Sequence, residues 1–274
     1  MSSSPVKVIV ITGASRGMGK SMAEILLKSS DNCKLVLVAR SGDKLQEFVD
    51  SLAEEDKKRV HFVAGDLTDS RTLDKLVDES VAKFGKINSV IFNAGILEPI
   101  AHIEKIDISQ MKKLFDVNFF SLVELTQKLL PILRITAKQD GVPATCVYVS
   151  SSASEVRYDG WLAYGASKAA VNHLAMDLDA EEDGLIRGIS IDPGVVDTGM
   201  QVNIRENLGR GMKSDAHKKF IEFHEKGQLL KPEVPGGVCA LLALKGVPSD
   251  LGGKYLEHCD KSLSSFQFVG KNTA

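Results

Sequence analysis

Tyr164 and Lys168 stand four residues apart in the run Tyr164-Gly165-Ala166-Ser167-Lys168, a spacing that puts a phenol and an ammonium on one face of a helix. A free phenol titrates near ~10 and exchanges protons poorly at neutral pH. A fixed positive charge beside it favours the phenolate, so its pKa is expected to fall toward the range useful for general acid–base chemistry. Bringing it to roughly 7 takes about 4 kcal/mol of differential stabilisation, which close positive charge can supply. Alone, Tyr-x-x-x-Lys is a common accident. Ser151 adds a hydroxyl at the end of the apolar run Cys146–Val149, suited to donating to a carbonyl oxygen and stabilising the oxyanion that develops there. Strand alternation turns its neighbours Ser150 and Ser152 elsewhere. Asn118 lies in the largely apolar stretch Leu114–Ser121 and must find partners or suffer desolvation. A backbone group would satisfy it, and so would a water leading to Lys168.

These side chains need a scaffold. Short β-branched runs recur at Val6–Ile11, Leu35–Val38, Val60–Val63, Ser89–Phe92, Thr145–Val149 and Ile189–Ile191. Between them lie charged stretches of helical period, such as Lys20–Ser29, Leu73–Phe84 and Met111–Leu133. Strands that are apolar almost throughout, alternating with helices, predict a parallel sheet covered on both faces. The 274 residues carry no repeat, low-complexity segment or Gly/Ser linker, so one α/β domain over residues 1–274 is expected. The stretch 199–235 breaks the rhythm: it is polar, helical in places, and punctuated by Gly199, Gly209, Gly211 and Gly227. An excursion of this length in a compact domain is usually functional, and it reads as a flap over a substrate. Trp161, Met200, Phe220 and Phe223 are candidates to line an apolar pocket beneath it, or to pack the flap itself.

Composition narrows the partners. A formal net charge of -2 gives no reason to expect nucleic acid or an anionic membrane. The most membrane-like segment, Phe115–Leu133, is interrupted by Asp116, Asn118, Glu124, Gln127 and Lys128, so it reads as a buried helix. No signal peptide is read ahead of the first strand. Cys33, Cys146, Cys239 and Cys259 are far apart and form no C-x-x-C pair; they read as reduced core thiols in a cytoplasmic protein. None of the six histidines sits in a metal-ligand spacing, so no zinc or other metal is expected.

A cofactor end is readable too. The first strand runs into TGASRGMG, with Gly13, Gly17 and Gly19 ahead of an apolar helix and Ser15, Arg16 and Met18 between them. Such glycines permit positive φ and let a pyrophosphate approach the backbone at a helix N-terminus. Gly13-Ala14-Ser15-Arg16-Gly17 also satisfies the G-x-S-x-G nucleophile elbow of serine hydrolases. That elbow needs strands and an oxyanion loop ahead of it, whereas here the first strand leads straight in. The second strand ends at Ala39, Arg40 and Ser41, where NAD-selective folds carry an acid for the ribose 2′-hydroxyl. A guanidinium there suits a 2′-phosphate, and Arg16 adds a second positive charge, so NADPH is the expected cofactor. An oxidised nicotinamide would also add to the effect of Lys168 on Tyr164. Asp66 and Leu67 follow the third strand and Asn93, Ala94 and Gly95 the fourth, where adenine and ribose would be read; Asp66 is equally suited to capping a helix. Pro193 and Gly194 turn the chain after the sixth strand, leaving the Val196 backbone and the Thr198 hydroxyl to hold a nicotinamide carboxamide.

TGASRGMG, NAG, the Asn of DVNFF, the Ser of VSSS, YGASK and PGVVDT occur in order and at matching intervals. Together they resemble the short-chain dehydrogenase/reductase family over nearly the whole chain. The resemblance implies a single-domain Rossmann-type doubly wound parallel sheet of about seven strands, with a catalytic tetrad on Asn118, Ser151, Tyr164 and Lys168. A closer likeness, in NAGILEPI, AYGASKAAVNHLAMDL, PGVVDTGMQ-x-x-IRE, KGQLL and GGKYLEHCD, is to the branch of sepiapterin reductases and yeast benzil reductases. It implies NADPH-dependent reduction of a 1,2-dicarbonyl or aryl ketone, Asp260 as a substrate anchor, and a homo-oligomer, dimer or tetramer, joined through two long helices. The alternative weighed against this is a non-catalytic NADP(H)-binding sensor, which would need the glycine turn and no tetrad.

Overall fold

A computed structural model of the chain describes residues 6–268. In chain order its elements are β1 (Lys7–Thr12), α1 (Gly17–Ser29), β2 (Cys33–Ala39), α2 (Gly42–Asp50), the short α3 (Glu54–Lys57), β3 (Val60–Ala64), α4 (Ser70–Phe84), β4 (Ser89–Phe92) and α5 (Ile108–Phe115). A π-helical turn, Asp116–Phe120, joins α5 to α6 (Ser121–Asp140). Then come β5 (Ala144–Val149), α7 (Leu162–Glu181), β6 (Ile186–Asp192), α8 (Gly199–Glu206), α9 (Ser214–Glu225), α10 (Glu233–Lys245) and β7 (Tyr255–Glu257).

The strands form one parallel sheet in the order β3-β2-β1-β4-β5-β6-β7. Alternation along β1 divides the core in two. Ile9 and Ile11 face a layer built from α1, α2 and α10, with Met22, Leu26, Leu45 and Leu242. Val8 and Val10 face the opposite layer of α4, α6 and α7, with Leu73, Leu129 and Val171. Residues two apart in a strand share a face, and both faces are covered, which explains why these strands read as unbroken apolar runs. Helix starts are fixed locally. The Asp69 carboxylate accepts from Arg71 N–H at 3.1 Å ahead of α4, and Asp107 accepts from Ser109 N–H at 2.7 Å ahead of α5, each satisfying an N–H that the helix leaves without a partner.

The predicted strands appear with their ends shifted by up to three residues. The seventh, β7, has only three residues and carries no periodic signal of its own. The stretch 199–235 is largely ordered as helix, comprising α8, the 3-10 turn Gly209–Gly211, α9 and the start of α10. Of the four thiols, Cys33, Cys146 and Cys239 are buried and free, but Cys259 is exposed rather than in the core. Among the described residues no helix is long and apolar enough to cross a membrane.

β1 and β4 are neighbours in the sheet but far apart in the chain, so the connections leaving them run in opposite directions. A crevice opens at such a switch point, beyond the carboxyl ends of the strands. Everything that could do chemistry converges there.

Candidate active site

A cleft of about 510 Å³ opens beyond β1, β2, β4, β5 and β6. Its inner end is the turn from β1 into α1. Gly13 holds φ at +67°, and a Cβ there would press on Ala94 and the Asn93 amide. The turn is pinned from β4: Thr12 Oγ1 accepts N–H bonds from Asn93 at 2.9 Å and Ala94 at 3.0 Å, while Asn93 Nδ2 donates to the Thr12 carbonyl at 3.0 Å. The Asn93 side chain therefore braces the turn, and the residue also lines the cleft. Gly19 is buried against the Gly13 carbonyl and is not part of the wall. Gly13, Ser15, Arg16, Gly17 and Met18 do line the cleft. The N–H groups of the first turn of α1 have no acceptor within the helix.

Further along lie Arg40 and Ser41 from the end of β2, and Asp66 and Leu67 from the end of β3. No acid stands at the end of β2. Both the Arg16 and Arg40 side chains are exposed, and neither guanidinium has an ion-pair or hydrogen-bond partner among the described residues. Asp66 does not cap α4, since Asp69 does; its carboxylate closes a local turn on Thr68 N–H at 2.9 Å and Thr68 Oγ1 at 2.8 Å. Ala94 and Gly95 line the floor, and Pro193, Gly194, Val196 and Thr198 the opposite rim. An open glycine turn at a helix N-terminus plus two unpaired guanidinia fits a dinucleotide carrying an extra phosphate.

At the outer end α7 delivers Tyr164 and Lys168, and the loop after β5 delivers Ser151; all three line the cleft. Gly165 makes this possible, because a Cβ there would collide with the Ala153 carbonyl. Its absence lets α7 close on the turn that follows Ser151. Lys168, 3% exposed, donates to the Val149 carbonyl at 2.8 Å, and its Nζ lies 5.6 Å from the centre of the Tyr164 ring. Burial pushes the lysine down from 10.5 to about 8. The neighbouring serines are otherwise engaged: Ser150 Oγ donates to Asn172 Oδ1 at 2.6 Å, and Ser152 Oγ bonds the Tyr158 hydroxyl at 3.0 Å.

One expectation needs correction here. The Tyr164 phenol is not depressed by the protein's own groups. Burial pushes it above its ordinary value, its hydrogen bond with Ser151 opposes the rise, and the charge of Asp192 adds to it. The ammonium lies over the ring face, and burial, not its charge, sets the direction of the shift. Asn118 is fully buried at the π turn, and its side chain is taken up: Oδ1 accepts from Ile96 N–H at 2.8 Å, while Nδ2 donates to the Ile96 carbonyl at 2.8 Å and to Ser167 Oγ at 3.2 Å. Its amide clamps the β4–α5 loop to α7, and Oδ1 lies on the same side of Gly95 as the Lys168 ammonium.

Aromatic rings close the outer end. Trp161 stacks on Phe220 of α9 with centroids 5.3 Å apart, stacks on Tyr158 at 5.0 Å, and meets Tyr164 edge-on at 5.6 Å. Met200, from α8, lines the same space. Phe223 does not; it is 36% exposed on the outer side of α9. Asp260 also lies outside the cleft wall. Its carboxylate caps the 3-10 turn Lys261–Phe266, accepting from Ser262 N–H at 2.8 Å and Ser262 Oγ at 2.6 Å. The α8–α9 segment is tied down at two points. The Asp159 carboxylate bonds His102 Nε2 at 2.9 Å and Lys213 N–H at 2.6 Å, and His217 Nε2 donates to the Ile204 and Arg205 carbonyls at 3.0 and 3.1 Å.

The sequence reading missed Tyr158, Gln201, Ile204 and Asp192. The first three line the cleft, and Asp192 is a buried carboxylate accepting from Gly194 N–H at 3.0 Å. Tyr158 had a signal, an aromatic six residues before Tyr164 in a Tyr-Asp-Gly-Trp turn; Gln201 had none.

Known proteins match this architecture. The family model described as short chain dehydrogenase matches residues 7–209. The (S)-benzoin-forming benzil reductase of Saccharomyces cerevisiae is 43% identical over 267 residues, covering 95% of this chain and 99% of that one. Two solved structures superpose along almost the entire chain. The KRED1-Pglu enzyme has a TM-score of 0.86 at 47% identity, covering 92% of this chain and 100% of its own. A short-chain dehydrogenase/reductase from Saccharomyces cerevisiae has a TM-score of 0.89 at 42% identity, covering 95% and 99%. A seven-stranded parallel sheet, a glycine turn at its switch point and a matching sequence over three quarters of the chain make one assignment: the protein is an oxidoreductase of the short-chain dehydrogenase/reductase family.

Proposed function

We propose that the protein is an NADPH-dependent carbonyl reductase acting on a 1,2-dicarbonyl or aryl ketone. The observation that carries this reading is the convergence of Tyr164, Lys168 and Ser151 on the same cleft wall as two unpaired guanidinia, Arg16 and Arg40. The glycine turn and the start of α1 would take the pyrophosphate, Arg16 and Arg40 the 2′-phosphate, and Asp66, Leu67, Ala94 and Gly95 the adenosine side. Pro193, Gly194, Val196 and Thr198 would hold the nicotinamide end. When bound, NADPH supplies the hydride that reduces the carbonyl carbon.

The rest falls to this chain's own groups. Ser151 donates to the carbonyl oxygen and holds it as negative charge develops. The Tyr164 hydroxyl gives its proton to that oxygen, so that ketone, hydride and proton together make one alcohol. Lys168 stabilises the phenolate left behind, which offsets the upward push of burial on Tyr164. Asn118 acts one step removed, by fixing the loop and helix on either side of Lys168. Trp161, Phe220, Tyr158 and Met200 offer flat apolar walls to an aryl substituent and exclude water, with residues 199–235 as the flap that covers it. The likeness to a benzil reductase supports a diketone in particular. No observation favours the non-catalytic sensor, for which the converging Tyr, Lys and Ser would have no use.

The test is NADPH consumption with a panel of diaryl and alkyl 1,2-diketones, aryl monoketones and pterins. Tyr164→Phe should abolish turnover while NADPH still binds. A near-normal rate in that variant removes Tyr164 from the mechanism. A cytoplasmic location belongs to the same reading, since free buried thiols suit a reducing compartment. So does a homo-oligomer joined through α6 and α7, on or beside which Phe120, Ile135 and Met176 are exposed.

A further inference from the structure

Four buried side-chain atoms among the described residues lack a hydrogen-bond partner: Thr136 Oγ1, Ser190 Oγ, Gln201 Nε2 and His258 Nδ1. Of these side chains only Gln201 belongs to the cleft wall. It is 2% exposed, so its amide is out of reach of bulk water. Its orientation is fixed by chemistry: Arg205 Nη1 donates to it at 3.1 Å, and a guanidinium has only donors, so the oxygen faces Arg205 and the NH2 faces away. Two N–H donors are thereby left without an acceptor in a buried place, which costs stability unless a ligand supplies one.

The position of Gln201 says what kind of ligand. Its neighbours on α8, Met200 and Ile204, pack with Trp161, Tyr164 and Phe220, so the helix begins beside Arg16 at Gly199 and turns toward the aromatic end of the cleft from Met200 on. The charged end has its own donors in Arg16 and Arg40. A neutral amide donor suits a neutral oxygen, and Ser151 and Tyr164 already serve the oxygen that is reduced. We infer that the Gln201 carboxamide is a specificity-determining donor to the second, unreduced carbonyl oxygen of a vicinal dicarbonyl substrate. The inference rests on the carbonyl-reductase reading above and goes beyond it by naming the residue that distinguishes a diketone from a monoketone. A site built to hydrogen-bond a substrate oxygen rejects an analogue that lacks it far more strongly than an apolar pocket can.

The experiment compares benzil with the diaryl monoketone in which one carbonyl is replaced by CH2, using the wild type, Gln201→Met and Gln201→Glu. Methionine keeps the volume and removes both amide groups without adding charge; glutamate keeps an oxygen for Arg205 and replaces the donor by a negatively charged acceptor. For both variants the diketone-over-monoketone ratio of kcat/KM should fall by about tenfold or more, with the NADPH Kd unchanged. An unaltered ratio overturns the inference, as does a loss that appears in NADPH affinity alone. The two readings fail differently. A wild type that reduces neither ketone defeats the proposed function and this inference together. A wild type that reduces both, with variants matching its ratio, defeats this inference alone.

Discussion

Replacing Lys168 by methionine separates its electrostatic work from its packing. The Lys168 ammonium lies 5.6 Å from the centre of the Tyr164 ring. With the ring centre standing for the phenolate charge and an effective dielectric of about 20, a unit charge at that distance stabilises a phenolate by about 3 kcal/mol, or roughly two pKa units. Because a proton in transfer feels between half and all of such a shift, kcat at saturating NADPH should fall between about tenfold and a hundredfold at pH 7. With the lysine at about 8, the wild-type rate should also decline as the pH rises through 8 and the charge is lost. Lys168→Met should lack that limb. The fold should respond in the opposite sense. Lys168 is depressed from 10.5 to about 8 by burial, so the folded state binds its proton less readily than the unfolded one. The resulting penalty, about 3 kcal/mol, is fully present below pH 8 and is relieved as the pH rises toward 10.5. Methionine removes it but orphans the Val149 carbonyl, at a cost of about 1–3 kcal/mol. The variant should therefore be at least as stable as the parent at pH 7 in urea unfolding. A rate within threefold of wild type, or an alkaline limb that persists near pH 8, refutes the electrostatic role. A clear loss of stability refutes the burial argument.

Two further outcomes follow from the site. Arg40→Ala should raise the NADPH KM by about ten- to a hundredfold, the worth of charge-assisted hydrogen bonds to a phosphate, and leave the NADH KM nearly unchanged; an unaltered cofactor preference defeats the 2′-phosphate assignment. Asp159→Ala removes the acceptor that holds both His102 and Lys213 N–H, so limited proteolysis should cut between α8 and α9 faster and the substrate KM should rise more than kcat falls. Equal proteolysis rates would show that this tie does not hold the segment down.

The scaffold was legible because its signals are repetitive. Parallel strands buried on both faces must be apolar throughout, and Val8–Ile11 or Leu35–Val38 announce themselves without any partner being known. The Tyr-x-x-x-Lys pair and the glycine turn were legible because helix and turn geometry are local. What was not legible depends on contacts between distant segments. Asn118 carries no mark of whether its amide meets water or the Ile96 backbone, and the π turn that buries it has no period of its own. Asp260 reads the same as an anchor or a cap; the cap on Ser262 is local, but its place outside the cleft wall is set by the packing of distant segments. Phe220 and Phe223 are three apart on α9 and differ only in which one the Trp161 ring happens to meet. Tyr164 was expected to be acidified because proximity to Lys168 is visible in the sequence, whereas its burial and the charge of Asp192 are not.

The brace between Thr12 and Asn93 spans 81 positions of the chain. A ribosome making this protein therefore releases the glycine turn long before the segment that fixes its shape. Until β4 docks beside β1, the glycine turn lacks that brace and is held only from β2, where the Val38 carbonyl accepts from Gly13 N–H at 2.8 Å and Ala14 N–H at 3.2 Å. A nucleotide that binds the finished turn better than the unfinished one would stabilise the sheet whose centre that brace completes.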